Sequence, residues 1–189
     1  MGKYINDDDL VSVRNRNNGT TFYDLPEKHI SRTFVQDQVK QIAFSELADL
    51  MYTGGGEYLI RHLLVIEDEN ARKELGLEVE PEYLYTRDDI RNLLFTGTLD
   101  QLEDFLNFAP EGAIQIARDI TIDEALPDVR KRDMISKKTG FEINKAIELK
   151  AMMSDETEEE QKKERKAEVP VRKSTDAPKR KYNVTVMGG

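Results

Sequence analysis

Between residues 10 and 45, apolar and polar residues alternate in short runs, with the two-residue period of β-strands. Asn18-Gly19 separates the first two runs, and both residue types tolerate the positive φ of a type I′ turn, which predicts a hairpin. Pro26 ends the second strand, because proline cannot donate to a sheet ladder. Two more strands are predicted over residues 30–35 and 39–43. This part of the chain therefore predicts a small antiparallel sheet or β-meander.

From residue 45 onward the apolar positions recur at helical spacing. Ser45 is predicted to be the N-cap of a first helix that ends at Gly54-Gly55-Gly56. Residues 57–66 fit either an edge strand or the end of a helix. Further helices are predicted to begin at or beside Asp68, Thr86, Thr98, Pro110, Asp128 and Glu142, with Gly76, Gly97 and Gly140 at three of the ends. The predicted fold class is α+β, a small N-terminal antiparallel β-sheet followed by a bundle of short helices.

The domain organisation follows from where these signals begin and stop. Residues 1–9 are predicted to be a flexible N-terminus, and residues 10–153 a folded domain that is β-rich over 10–67 and helical over 68–153. Residues 154–189 contain an acidic block, a basic block and two prolines, and we expect this tail to be disordered in isolation.

Charge and composition narrow the functional classes. The formal net charge of -9 argues against a dedicated nucleic-acid-binding protein, which needs a positive surface for phosphates. The chain has no cysteine, so disulfides, thiolate metal sites and cysteine nucleophiles are excluded. No apolar run approaches the ~20 residues of a membrane-spanning helix, and the first residues do not resemble a secretory signal. These features predict a protein of a reducing cytoplasm.

Residues that could carry chemistry are few. Gly54–Gly56 could cradle an anion, but it lacks the lysine and spacing of a phosphate-binding loop, and a hinge between helices is the preferred interpretation. His29 and His62 have no partner at metal-ligand spacing. The acidic runs Asp7–Asp9 and Glu67–Glu69 do not match a calcium loop, so solvated turns are expected. We assign no catalytic residue, no cofactor and no metal ligand, and predict that the protein is not an enzyme.

Aromatic residues cluster between residues 83 and 108. Tyr83, Tyr85, Phe95, Phe105 and Phe108 have leucine neighbours at helical spacing, so most are expected in the core rather than in a binding stripe. Tyr83 and Tyr85 fall in a predicted linker and are expected to be the more exposed pair.

The end of the chain has a strand pattern. Residues 181–187 alternate polar with apolar or β-branched residues after a segment that cannot fold alone. Such a tethered strand suits β-augmentation, in which an extended peptide adds to the edge of a partner's sheet. The residues predicted to bind a partner are Arg180, Lys181, Tyr182, Val184 and Val186. Two alternatives remain open: the segment pairs with its own N-terminal sheet, or it frays.

Several short stretches in residues 10–150 carry a resemblance to known proteins. They are Val11–Gly19, Tyr23–Pro26, Arg32–Phe34, Lys40–Ile42 with Glu46-Leu47, Gly55–Leu59, Glu80–Tyr83, Phe108–Gly112 and Lys138–Phe141. In these stretches the chain resembles a group of small bacteriophage and prophage proteins. The resemblance implies a phage or prophage origin among virion morphogenesis genes, and it includes no active-site signature. It also implies that the protein is located in the host cytoplasm, in the virion, or in both.

The expected function is that of a non-catalytic phage structural or assembly protein that binds capsid, neck or tail components, with other phage structural proteins as partners. One alternative is a regulatory binding protein that acts on host or phage machinery through the basic stretch 172–181. Another is an enzyme with a site at Gly54–Gly56. The sequence leaves the oligomeric state open.

Overall fold

The computed structural model describes residues 4–77 and 79–153, and it confirms the α+β fold class. The strands among these residues are β1 Leu10–Asn15, β2 Thr21–Leu25, β3 Ile30–Phe34, β4 Val39–Ala43 and β5 Leu64–Ile66. The α-helices are α1 Phe44–Met51, α2 Gly56–Tyr58, α3 Glu69–Glu74, α4 Arg87–Thr96, α5 Leu99–Phe108, α6 Glu111–Asp123, α7 Val129–Thr139 and α8 over residues 143–153. A π-helical turn, Leu59–Leu63, joins α2 to β5, which resolves the ambiguous segment as a helical turn followed by a strand.

Two small antiparallel sheets make up the β-rich half. One has the order β4-β1-β5, with Val11 opposite Ile42 and Val13 opposite Ile66. The other is the β2–β3 hairpin, whose strands are joined by a 3₁₀ turn at Pro26–Lys28. Alternate residues of β1 and β2 are buried, as expected for strands with one face toward a core.

The hairpin predicted at Asn18-Gly19 is wrong, because β1 and β2 lie in different sheets. Strand β1 is central, with β4 on one side and β5 on the other, so it has no free edge for β2. Gly19 is not among the glycines with positive φ. Instead, the buried side chain of Asn15 stabilises the connection from β1 to β2. Its Nδ2 donates to the carbonyl oxygens of Gly19 and Val35, both at 3.0 Å, and its Oδ1 accepts from the Thr21 hydroxyl at 2.9 Å.

The N-terminus of α1 also differs from its prediction, because Ser45 lies inside the helix and Ala43 occupies the cap position. Strand β4 runs directly into α1, so main-chain carbonyls replace a side-chain cap. The amides of Phe44 and Ser45 donate to the carbonyl oxygens of Asp9 and Asp7, each at 2.9 Å. The flexibility predicted for residues 1–9 stays a prediction.

The predicted helix caps in the second half are confirmed. Asp68 and Asp128 accept from amides in the first turns of α3 and α7, and Thr86 and Thr98 each form a complete capping box with the residue three positions on. Gly76 and Gly140 adopt left-handed backbone conformations, with φ of 66° and 67°. These ends depend on neighbours within a few residues, which is why sequence alone located them.

Two hydrophobic clusters form the core. The first joins the sheets to α1 and includes Val13, Phe34, Ile42, Leu47 and Leu64. The second joins α4 to α8 and includes Ile90, Leu94, Leu102, Phe105 and Ile120. Phe105 is therefore a core residue, as expected, whereas Phe108 is 59% exposed.

Arg16 lies where the β-rich half meets α6. Its side chain is buried, its Nη2 donates to the carbonyl oxygen of Tyr83, and its guanidinium lies over the Tyr83 ring at 5.0 Å from the centroid. Burial lowers the pKa of Arg16 to about 10. The stem of Arg16 packs beside Gly112, whose absent side chain lets α6 approach the carbonyl of His62. The two halves are thus in direct contact through a glycine and a buried cation.

Candidate protein-binding surface

The outer edge of β5 is closed by two side chains. The Tyr83 hydroxyl accepts from the Ile66 amide at 3.0 Å and lies 3.1 Å from the carbonyl oxygen of Leu64, to which it donates. Arg72 Nη1 donates to the Ile66 carbonyl oxygen at 2.6 Å. Tyr83 is only 2% exposed, so the prediction that it is exposed is wrong. A linker residue is buried here because its hydroxyl satisfies backbone groups that a partner strand would otherwise bind.

The outer edge of β4 is open. The Phe44 amide donates to the Asp9 carbonyl and the Asn15 amide to the Gln38 carbonyl, so even-numbered residues along β4 bond to β1. The backbone groups of Val39, Gln41 and Ala43 consequently point the other way, because bonding direction alternates along a strand. Among the described residues, none bonds to the amides of Val39, Gln41 and Ala43 or to the carbonyls of Val39 and Gln41. The carbonyl of Ala43 is used, because it is the N-cap acceptor of α1.

The side chains of this edge are apolar at its ends and polar in its middle. Val39 is 48% exposed, Gln41 is exposed and Ala43 is half-buried. On the same face, Leu10 of β1 lies opposite Ala43 and is 67% exposed. The arrangement offers hydrogen-bonding backbone together with apolar contacts, which is what an added strand needs.

The β2–β3 hairpin is fixed beside this edge by a polar cluster around the buried carboxylate of Glu46. Arg32 donates from Nε and Nη2 to the two carboxylate oxygens of Glu46, each at 2.9 Å, and the Tyr23 hydroxyl donates to Glu46 Oε1 at 2.5 Å. Burial raises the pKa of Glu46, but the hydrogen bonds from Arg32 and Tyr23 outweigh it, so the pKa lies below its ordinary value. The pKa of Tyr23 is raised by burial and by Glu46. The carboxylate therefore stays ionised and ties the hairpin to α1.

The outward face of the hairpin adds a second apolar area. Phe22 is 68% exposed and Val35 is 56% exposed. Phe22 lies opposite Thr33 in the hairpin register. The Thr33 carbonyl oxygen is itself bound by Lys40 Nζ at 2.6 Å. The charged end of Lys40 is thus directed at the hairpin rather than along the open edge of β4.

The glycine loop functions as a tight connection in this structure. A Cβ on Gly56 would lie 1.7 Å from the Leu50 carbonyl oxygen, and Gly55 has a φ of 84°. The Gly56 amide donates to the Thr53 carbonyl oxygen, so it is used inside the turn. These observations match the hinge interpretation.

The two histidines occupy structural positions. His62 is half-buried, and its Nδ1 accepts from the Glu111 amide at 3.3 Å at the start of α6. Its ring packs 4.8 Å from that of Tyr58, whose hydroxyl donates to Glu111 Oε2. His29 is exposed and ends the 3₁₀ turn in a left-handed conformation.

Within residues 4–77 and 79–153, no group of three or more histidine, aspartate or glutamate side chains could hold a metal ion. None of the helices described is long and apolar enough to cross a membrane. The predicted partner-binding residues Arg180, Lys181, Tyr182, Val184 and Val186 lie outside the described residues. Comparison with protein-family models, curated proteins and solved structures finds no match to this chain.

Proposed function

We propose that this chain is a non-catalytic phage structural or assembly protein that binds capsid, neck or tail components through strand addition. The observation that carries the proposal is the open edge of β4, where Val39, Gln41 and Ala43 present unpaired backbone groups beside exposed apolar side chains. The resemblance of residues 10–150 to bacteriophage proteins supports the phage setting.

Strand addition supplies enough energy for a specific contact. A partner strand that bonds the free outward groups gains about five backbone hydrogen bonds, each worth roughly 0.5–1.5 kcal/mol net of water. The fold closes the edge of β5 with Tyr83 and Arg72. Exposed strand edges are an aggregation hazard that proteins normally cover, so an edge left open beside a covered one supports a binding role.

The C-terminal segment is proposed as a second binding element. Tyr182, Val184 and Val186 alternate with polar residues, and Arg180 and Lys181 precede them. We expect these apolar side chains to fill pockets on a partner's sheet edge. Changing Tyr182, Val184 and Val186 together to aspartate is expected to weaken partner binding in a pull-down of the full chain. Unchanged binding would remove this segment from the proposal.

Mass spectrometry of purified particles tests the function directly. We expect the protein in particles, or a block in particle assembly when its gene is deleted. Absence from particles together with normal assembly of the deletion mutant would contradict the proposal.

Gln41→Pro links this assay to the β4 edge. Its amide points away from β1, so proline keeps the existing ladder and removes one outward donor. We expect Gln41→Pro to reduce incorporation or assembly and the control Gln41→Thr to behave like the unaltered protein. Equal incorporation of the two variants would exclude the β4 edge as the binding site.

A further inference from the structure

We propose that the open edge of β4 binds an extended segment of a partner protein that has an uncharged core, as long as β4, between basic flanks. The inference rests on the proposed function in one respect, namely that this edge is a strand-addition site. It adds the chemistry of the strand that binds there.

The free backbone groups of the edge set the length of the core. They are the amides of Val39, Gln41 and Ala43 and the carbonyl oxygens of Val39 and Gln41. The carbonyl oxygen of Ala43 is used in the first turn of α1, and β4 ends there because the chain becomes helical at Phe44. An added strand can therefore pair only along Val39–Ala43, which is five residues.

The side chains beside these groups favour an uncharged core. On the outer face, Val39 and Leu10 are 48% and 67% exposed, and the side chain between their positions is the neutral Gln41. The neighbour Lys40 has its ammonium bound to the Thr33 carbonyl oxygen at 2.6 Å. A charged core residue would lose water against the apolar side chains without gaining a free opposite charge. Apolar and neutral hydrogen-bonding residues therefore fit this part of the strand.

Both ends of the edge carry exposed acids. Asp37 lies two residues before Val39. At the other end, the Asp7 carbonyl oxygen accepts from the Ser45 amide at 2.9 Å, which places Asp7 and Asp8 beside the junction of β4 and α1. All three aspartates are exposed, and none forms an ion pair with another described residue.

The basic residues of the same region already have partners. Arg32 forms an ion pair with Glu46, and Lys28 forms one with Asp49. The Lys40 ammonium is bound to a backbone carbonyl oxygen. The three aspartates are therefore not neutralised by these cations, and they give the two ends of the edge a negative potential. Lysine or arginine beside the core of an added strand is attracted there, whereas an acidic segment or a nucleic acid is repelled.

Fluorescence anisotropy of the full chain with labelled synthetic peptides tests the inference. Each peptide has the core Val-Thr-Val-Thr-Val, flanked at both ends by two lysines, two serines or two glutamates. An exposed ion pair strengthens binding by roughly 1.4–5-fold, so we expect the lysine-flanked peptide to bind about tenfold more tightly than the serine-flanked one at low salt. The glutamate-flanked peptide is expected to bind most weakly. Equal affinities of the three peptides, or no binding of any, would overturn the inference.

The salt dependence of the preference is the second readout. At about 1 M NaCl, where charges are screened beyond about 3 Å, the lysine-flanked and serine-flanked peptides should have nearly equal affinities. A preference that is unchanged at high salt would contradict an electrostatic origin.

Gln41→Pro shows whether the peptide binds at the β4 edge. We expect this variant to lose binding of the lysine-flanked peptide while its circular dichroism spectrum is unchanged, and Gln41→Thr to retain binding. Undiminished binding to Gln41→Pro would mean that the peptide adheres elsewhere on an acidic surface, and it would overturn the inference.

Removing the three acids tests the basic flanks themselves. The variant carries Asp7→Asn, Asp8→Asn and Asp37→Asn. Asparagine keeps the shape of aspartate and tolerates the left-handed φ of 55° at residue 37. We expect this variant to bind the lysine-flanked and serine-flanked peptides with nearly equal affinity.

The matched control changes three exposed acids of α5 by the same number of charges, with Asp100→Asn, Glu103→Gln and Asp104→Asn. This control is expected to keep the preference for the lysine-flanked peptide. Equal effects of the two triple variants would show a response to net charge rather than to the ends of the edge, and would overturn the inference.

Two other occupants of the edge give distinct outcomes. If the full chain binds no peptide but the variant with Tyr182, Val184 and Val186 changed to aspartate does, the C-terminal segment occupies the edge. If sedimentation analysis shows a dimer that Gln41→Pro converts to a monomer, a second copy occupies it. Either result would overturn the inference.

The outcome for the basic flanks is separable from the outcome for the proposed function. A protein that is found in phage particles but does not prefer the lysine-flanked peptide contradicts this inference alone. A protein that prefers this peptide but is absent from particles, with normal assembly in the deletion mutant, contradicts the phage function alone.

Discussion

Gly112 provides a sharp test of the contact between the two halves. It lies in the first turn of α6, where alanine would usually be preferred to glycine by up to about 1 kcal/mol. A Cβ at this position would lie 2.3 Å from the His62 carbonyl oxygen and 3.1 Å from Arg16 Cδ. Helix propensity therefore predicts that Gly112→Ala raises the free energy of unfolding, whereas packing predicts that it lowers it.

We expect the destabilisation from packing to exceed the gain in helix propensity. The nearest atom belongs to the backbone of the π-helical turn, which leads directly into β5 and cannot move away as a flexible side chain could. The other close atoms belong to the buried stem of Arg16. Forcing an extra carbon into a packed site typically costs 1–3 kcal/mol, so after the gain in propensity we expect a net loss of about 2 kcal/mol. For a chain of this length that lowers the Tm by roughly 4–8 °C.

Thermal and urea denaturation of the full chain measure this effect. Gly54→Ala is the matched control, because its Cβ would meet nothing within 4 Å and Gly54 is not among the positive-φ glycines. The control is expected to be neutral or slightly stabilising, by up to about 1 kcal/mol. If Gly112→Ala is as stable as the unaltered protein, the close approach of α6 to the π-helical turn is refuted.

Three further changes probe other contacts by denaturation. Thr86→Ala removes a capping box and is expected to cost about 1 kcal/mol; no loss would mean that the cap does not contribute. Lys131 Nζ donates to three carbonyl oxygens at the end of α4. Lys131→Met should therefore lower the free energy of unfolding by roughly 1–3 kcal/mol. The exposed control Lys137→Met should change it by no more than about 0.5 kcal/mol. Glu46→Gln should cost about 1.5–3 kcal/mol at neutral pH. Because the pKa of Glu46 lies below 4.5 in the folded protein, its stabilising effect is present above pH 4.5 and is lost as the pH falls further. As the pH falls below 4.5, Glu46→Gln should therefore lose less stability than the unaltered protein. An equal loss in both proteins would contradict the stabilising role of the ionised Glu46 carboxylate.

Local signals in the sequence located the helices well. The capping boxes at Thr86 and Thr98 and the left-handed glycines Gly76 and Gly140 are each decided by residues within four positions. The strands were found for a similar reason, since alternation is a property of consecutive residues. What these signals do not contain is which strand pairs with which.

The error at Asn18-Gly19 shows this gap. The pair has the composition of a tight turn, but the connection is decided by β4 and β5, which occupy both sides of β1. Asn18 instead contacts the helical half: its Oδ1 accepts from Arg87 Nη1 at 2.6 Å and its amide donates to Asp119. Partners 69 and 101 residues away cannot be inferred from the turn itself.

The open edge of β4 was beyond sequence reasoning for the same physical reason. Residues 39–43 predict a strand, but whether its outer backbone groups are paired depends on every other strand and on covering side chains. Tyr83 illustrates the point from the other direction, because it has the composition of an exposed linker residue and yet its hydroxyl closes the edge of β5. Only with both edges in view does the asymmetry emerge: one edge carries dedicated covering groups and the other carries none among the described residues. Since the same selection against aggregation applies to both edges, the uncovered edge supports the strand-addition site proposed for this chain.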